Sequence, residues 1–286
     1  MQIVILGAGF TGTAVTELAL ARGLRVLATT RDAERAHQLE QRGAQVLLAP
    51  ALPASDLLRQ VSSESRVLVT FPPDGHTDAA LAEALSVCAR IVYISSTAVY
   101  GAHTGLLDET TPVLPNTPRG ERRFAAERVW HDAGATILRA PAIYGPGRGL
   151  HLRLTRGDLK LGPNPTNTIS RIHRDDLALA ALEMLGRKLE HSTYLIGDLE
   201  PAPHLEVVNW LATELRLPAP VPDASVTPDE TLTSDRQVNA LRLWHELELR
   251  PRYPTYREGL RHCIRVDLPN WVGAASSDTV HSEGNG

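Results

Sequence analysis

Met1-Gln2-Ile3-Val4-Ile5-Leu6-Gly7-Ala8-Gly9-Phe10-Thr11-Gly12 opens the chain. An aliphatic run passes directly into G-x-G-x-x-G, and the residues that follow, Thr11–Ala21, have helical spacing. Between a strand and a helix each glycine has a mechanical task. Gly7 turns the chain tightly, Gly9 lets backbone approach a pyrophosphate, and Gly12 lets helix pack on strand. The backbone around Phe10 and Thr11, at the positive helix end, then holds the anion. No basic stretch precedes the apolar run and no small-residue cleavage site follows it, so it reads as a first strand and not as a signal peptide.

Working outward, short apolar runs alternate with helical patterns. Strands are expected at Gln2–Leu6, Arg25–Thr29, Gln45–Leu48, Arg66–Thr70, Ile91–Ile94 and Thr136–Leu138, and helices at Thr11–Ala21, Ala33–Gln41, Asp78–Cys88 and Arg119–His131. Continuous hydrophobic strands of this kind suit a sheet buried on both faces. The fold class is therefore α/β, a doubly wound parallel Rossmann sheet. From Gly145-Pro146-Gly147-Arg148-Gly149 the texture changes, and Gly162-Pro163-Asn164-Pro165 breaks it again. The expected division is a dinucleotide-binding domain over 1–149, a smaller C-terminal substrate-side lobe over 150–270, and a small, polar, disordered tail over 271–286. Helices at Asp175–Leu185, Leu205–Leu215 and Asp235–Leu247, a strand at Thr193–Ile196 and a Pro-rich loop at Leu217–Asp229 are expected in the second part.

With 286 residues, 43% hydrophobic and 22% charged, the chain has the composition of a soluble globular protein. No apolar run approaches the ~20 residues that span a bilayer. A net charge of −4 offers no general attraction to nucleic acid or to anionic membranes, and both are set aside as partners. Basic residues nevertheless outnumber acidic ones between Arg119 and Arg174, a local excess that suits either a solvated surface or a funnel for an anionic small molecule. Cys88 and Cys263 are the only cysteines, too few for a disulfide framework or a Cys-rich metal site, and a reducing cytoplasm is the expected location.

The end of the second strand separates NAD from NADP, because an acidic residue there binds the ribose 2′-hydroxyl and repels a 2′-phosphate. Thr29-Thr30-Arg31 stands at that place. Thr29 carries no charge, and Arg31 offers a fork suited to phosphate, so NADP is the expected cofactor over NAD. Phe71-Pro72-Pro73 follows the fourth strand at the carboxyl edge and is expected to border the cofactor with its backbone.

Ser95-Ser96-Thr97-Ala98-Val99-Tyr100-Gly101 after the fifth strand resembles the S-S-x-x-V-Y-G signature of the extended short-chain dehydrogenase/reductases. Asp108-Glu109-Thr110-Thr111-Pro112 is similar to that family's D-E-x-x-P loop. Leu138-Arg139-Ala140-Pro141-Ala142-Ile143-Tyr144-Gly145-Pro146-Gly147 and Arg171-Ile172-His173-Arg174-Asp175-Asp176 are similar to two further motifs, and Leu247–Tyr253 to the closing one. The resemblance implies an NAD(P)-dependent epimerase/dehydratase-like oxidoreductase, with Ser95 beside the cofactor and Ser96 as the active hydroxyl.

That family also carries a Tyr-x-x-x-Lys pair on the next helix, and here the two positions fall on Arg119 and Arg123. The i, i+4 spacing still puts both on one helix face. Arginine, however, stays protonated and cannot replace a phenol as general acid or base. Arg119 can bind an anionic substrate group, and Arg123 can hold a ribose or phosphate. Thr97 and Ala98 stand where 4,6-dehydratases carry acids, Ala142 where many members have Asn, and Ile169 where an Arg often meets a nucleotide-sugar diphosphate. The pattern is that of an atypical member with an incomplete catalytic tetrad. Two readings follow: an oxidoreductase or epimerase-like enzyme acting on a small polar or anionic substrate with a non-standard proton carrier, or a non-catalytic NADP-binding sensor or scaffold. Ser96 equally suits a substrate hydrogen bond and a backbone cap. Tyr100 and Tyr144 read as packing residues, and His173-Arg174-Asp175-Asp176 as a helix start and not as a metal site.

Overall fold

Ile3 and Ile5 pack into one core while Val4 and Leu6 pack into another, the period-two consequence of a strand buried on both faces. This strand is β1 (Gln2–Leu6) of a computed structural model that describes residues 1–48, 54–227 and 234–271. The chain continues through α1 (Phe10–Ala21), β2 (Arg25–Thr30), α2 (Ala33–Gln41), β3 (Gln45–Leu48), α3 (Ala54–Leu58), β4 (Arg66–Val69), α4 (Thr77–Leu85) and β5 (Arg90–Ser96). A 3₁₀ turn, Thr97–Tyr100, then leads to β6 (Gly105–Leu107), α5 (Pro118–Asp132), β7 (Thr136–Ala140), β8 (Ala142–Tyr144) and α6 (Leu150–Thr155). β9 (Thr168–Ile169), β10 (Arg171–His173), α7 (Arg174–Gly186), β11 (Thr193–Leu195), β12 (Ala202–Pro203), α8 (His204–Leu215), β13 (Arg236–Val238), α9 (Leu241–Glu246) and α10 (Tyr256–Asp267) complete it.

Seven parallel strands form the central sheet in the order β11-β7-β5-β4-β1-β2-β3. The order reverses at β1, which pairs with β2 on one side and β4 on the other, and the crevice at the carboxyl ends of these strands is where such sheets bind ligands. α1 and α7 cover one face through Val15, Ala19, Leu177, Ala181 and Leu185. α3, α4 and α5 cover the other through Leu57, Leu81, Leu85 and Trp130. A third core, with Tyr144, Val207, Val208, Leu211, Tyr256 and Leu260, sits between β8, α8 and α10.

The doubly wound sheet matches the expected fold class, with one strand more than the six expected. The added strand is β11, assigned from sequence to the second lobe but paired with β7 at the sheet edge. α7 likewise packs on the sheet and reaches α1 through the Arg22–Glu183 ion pair at 2.5 Å. A cut after residue 149 leaves both on the lobe side of the chain, although both pack into the central layer. The expected helix Asp235–Leu247 is split: Arg236–Val238 is a strand parallel to β6, and only Leu241–Glu246 is helical. Of the expected tail only Trp271 falls among the described residues, where its indole N–H donates to the Leu215 carbonyl at 3.0 Å. Residues 228 and 229 of the expected Pro-rich loop and 272–286 of the tail lie outside the described residues.

Candidate functional site

The glycine turn is held by its neighbours on both sides. Gly7 has φ +93°, and a Cβ there would lie 2.9 Å from the Phe71 backbone nitrogen and Cβ. Its N–H donates to Thr29 Oγ1 at 2.9 Å, and its carbonyl accepts from Thr70 Oγ1 at 2.5 Å. A Cβ on Gly12 would lie 2.5 Å from the Gly7 carbonyl oxygen, so helix α1 meets the turn with no room to spare. Gly9 has nothing nearer than 3.9 Å in that direction and opens on the cleft. No side chain caps α1, so its first N–H groups face outward unserved. A tight turn, an open glycine and a bare helix start together fit a bound pyrophosphate.

Above this turn runs a cleft of ≈ 750 Å³. Gly9, Phe10, Thr11, Thr70 and Pro72 form the end over the glycine turn, while Ser95, Ser96, Arg119 and Arg123 lie along its length. Arg148, Arg236 and Ser170 close it from the C-terminal part. Several expected residues take part indirectly. The Thr29 hydroxyl is engaged with Gly7, so Thr29 shapes the turn from beneath. Phe71 props the turn through its backbone, and Pro72 is the residue that borders the cleft. Arg31 is exposed at the end of β2, with no ion pair among the described residues, while its neighbour Asp32 caps α2 and pairs with Arg35 at 3.4 Å.

Ser96 Oγ accepts the Ala98 N–H at 3.2 Å, capping the 3₁₀ turn, and remains at the cleft surface. Arg123, in the first turns of α5, reaches down to the Tyr93 hydroxyl at 2.8 Å and the Ile94 carbonyl at 3.3 Å. Arg119, one helical turn earlier, is exposed in the cleft and has no ion pair among the described residues. None of the tyrosines near the site offers a free phenol to the cleft. Tyr93 is fully buried beneath Arg123, and burial pushes its pKa well up. Tyr100 is fully buried with its hydroxyl between Arg139 Nη1 at 2.9 Å and the Asp108 carbonyl at 3.3 Å, and Tyr144 is buried in the C-terminal core.

Behind the cleft lies a buried network that sequence motifs do not disclose. Ser95 Oγ donates to Glu127 Oε1 at 2.5 Å, and Glu127 takes a two-pronged ion pair from Arg139 at 3.1 and 2.8 Å. The hydroxyl of Ser95 thus faces this network rather than a cofactor. Another residue missed from sequence is His103, in the loop after the Tyr100-Gly101 pair. It lines the cleft, and its Nε2 is buried without a hydrogen-bond partner. Lying between motifs, it carries no sequence signal beyond being a histidine close to Ser96 in the chain.

His173, Asp175 and His262 have side-chain atoms close enough together to suggest a metal site. His173 Nδ1 already accepts the Asp175 N–H at 3.1 Å, so the neutral ring carries its proton on Nε2, which faces His262 Nδ1 at 3.3 Å. Both nitrogens are in use, and burial holds the pKa of His173 down at about 4. The group is a packed cluster, with the Tyr253 ring 4.0 Å from that of His173.

A family described as NAD(P)H-binding matches residues 7–188, the span from the glycine turn to the end of α7. The chain belongs to this NAD(P)H-binding family. Solved structures named as epimerases and dehydratases share its fold. Over 205 residues, 64% of this chain and 72% of the relative, it is 29% identical to Protein YeeZ of Escherichia coli (strain K12). A functionally unknown conserved protein from Silicibacter pomeroyi DSS superposes with a TM-score of 0.81 at 29% identity, covering 92% of this chain and 97% of the other. UDP-glucuronic acid 4-epimerase from Bacillus cereus, in complex with UDP-glucuronic acid and NAD, gives a TM-score of 0.77 at 18% identity over 96% of this chain and all of that one, a likeness of fold. Among the described residues no helix is long and apolar enough to cross a membrane.

Proposed function

We propose that this protein binds NADP over the glycine turn and acts as an oxidoreductase or epimerase-like enzyme on a small anionic substrate, in the cytoplasm. The observation that carries this reading is the charge of the cleft. Among the described residues Arg119, Arg123, Arg148 and Arg236 line it and no carboxylate does. Arginines concentrated in a cleft with low-dielectric walls attract and orient anions. Arg31, without a carboxylate partner among the described residues, supports the 2′-phosphate preference.

When bound, the nicotinamide supplies two-electron redox chemistry. The residues of the chain bind and orient. The α1 amides hold the pyrophosphate, Arg119 holds the anionic group of the substrate, and Ser96 donates a hydrogen bond to its oxygen. Proton transfer needs a group that changes protonation near neutrality, which the arginines cannot do. His103 is the one titratable side chain besides arginine that lines the cleft among the described residues, and its unpartnered Nε2 suits it to carry the proton.

The test is NADPH consumption over a panel of 2-oxo acids and uncharged ketones. Turnover of an oxo acid is expected to fall by roughly 10²-fold in His103→Gln at unchanged NADPH affinity, the usual size of a general acid's contribution. Full activity in that variant would refute the role of His103. Arginine at 119 and 123, the positions of the family's Tyr-x-x-x-Lys pair, favours the second reading, a non-catalytic NADP-binding sensor, and NADPH binding with no turnover on any carbonyl would establish it.

A further inference from the structure

A second chamber of ≈ 370 Å³ shares Ala142, Ile143, Arg148 and Ile169 with the cleft. Its walls are largely aliphatic, from Ile143, Leu150, Leu152, Ile169 and Leu260. Arg148, Arg153, Arg156 and Arg171 also border it, and no carboxylate does among the described residues. His204, the first residue of α8, lines it and is only 3% exposed. Its Nδ1 lies 3.3 Å from Nη2 of Arg171. Arginine only donates, so Nδ1 accepts, and the proton of the neutral ring sits on Nε2. Burial and the Arg171 charge hold the ring's pKa down at about 4, which keeps it neutral at pH 7. The Nε2–H is buried and has no partner among the described residues. A buried donor left unpaired is costly, and an acceptor on a ligand removes that cost.

We propose that this chamber binds a carboxylic acid with an aliphatic or aryl body, one carboxylate oxygen accepting from His204 Nε2. The aliphatic walls take the apolar body, and the surrounding guanidinium groups offset the carboxylate charge. A nucleoside diphosphate would instead lay its base edge and ribose hydroxyls on the aliphatic walls, leaving their hydrogen bonds unmade. This inference rests on reading the adjoining cleft as a substrate site: the chamber takes a distal carboxylate and the apolar body of that substrate, while Arg119 holds the anionic group beside the reacting carbon.

Calorimetric titration of the full chain with octanoate, with uridine monophosphate and separately with NADPH tests it. Octanoate is expected to bind, shifting the His204 Nε2–H signal in histidine-labelled ¹⁵N spectra. Its affinity is expected to fall at least tenfold in His204→Phe, which removes the donor, and in Leu152→Trp, which fills the chamber from a half-buried wall position. The tryptophan variant guards against a folding effect at His204, and retained NADPH affinity reports its integrity. Absence of octanoate binding, unchanged octanoate affinity in Leu152→Trp, or uridine monophosphate displacing octanoate would overturn the proposal. NADPH binding without octanoate binding defeats this inference alone, and octanoate binding without NADPH binding defeats the cofactor reading alone.

Discussion

Glu127 shows what single residues do beneath the cleft. It is 3% exposed and joins Ser95 to Arg139, which in turn holds Tyr100. Glu127→Gln leaves the buried Arg139 guanidinium without its counter-charge, and about 3–5 kcal/mol of stability should be lost in denaturant unfolding. Replacing both, with Glu127→Met and Arg139→Met, should cost less than that single change, because no buried charge is left unpaired. A double mutant less stable than Glu127→Gln would mean that the pair contributes net stability beyond compensating its own burial. The residues of the glycine turn were legible in sequence because glycine has few reasons to sit at fixed spacing after a strand. Glu127 and His103 were not, since both lie outside the motifs, and Arg139, although inside one, meets a partner 12 positions away that no local pattern shows. Thr29 was correctly placed at the end of β2, but its hydroxyl serves Gly7, a partner 22 residues away that β1–β2 pairing alone creates.

At the scale of elements, the junction of β1 and α1 depends on Gly12. A methyl group there would press on the Gly7 carbonyl, backbone that cannot swing aside. Gly12→Ala should cost roughly 1–3 kcal/mol by overpacking and should weaken dinucleotide binding, since the turn itself must shift. Thermal melts with and without NADPH check this, and a variant with parental melting temperature and ligand shift would refute it. Strands of the first half were readable as uninterrupted apolar runs, because burial on both faces removes polar residues from them. β6, β9, β12 and β13 have 2 or 3 residues each and are set by pairing across the chain, so no window of sequence could show them. Helix α10 did leave a signal: Thr255 and Glu258 form a capping box at its start, a T-x-x-E pattern visible without any structure.

Across the whole molecule, buried ionisable groups set the response to acid. His173 and His204 are held down to about 4 by burial, so each contributes stability present above the ordinary histidine value of 6.5 and lost as pH falls towards 4. Asp176, raised to about 6 by burial, acts in the opposite sense between 3.8 and 6, favouring the fold as it takes up a proton. Burial raises Asp78 and Asp198 as well and lowers His262, so the sign is read variant by variant. The change in melting temperature from pH 7 to pH 5 should be more favourable in His204→Phe than in the parent and less favourable in Asp176→Asn. Parallel profiles in the three proteins would contradict this. The fold brings β1, β2, the carboxyl ends of the strands and the arginine-lined cleft together at one place, where the proposed NADP would bind. Titrating NADPH and NADH into the parent and into Arg31→Ala tests that account most directly. NADPH is expected to bind more tightly than NADH in the parent, and the alanine variant to lose most of that preference, about 1.5–3 kcal/mol for a charge-assisted phosphate contact. Equal affinities in the parent, or a preference that survives in Arg31→Ala, would contradict it.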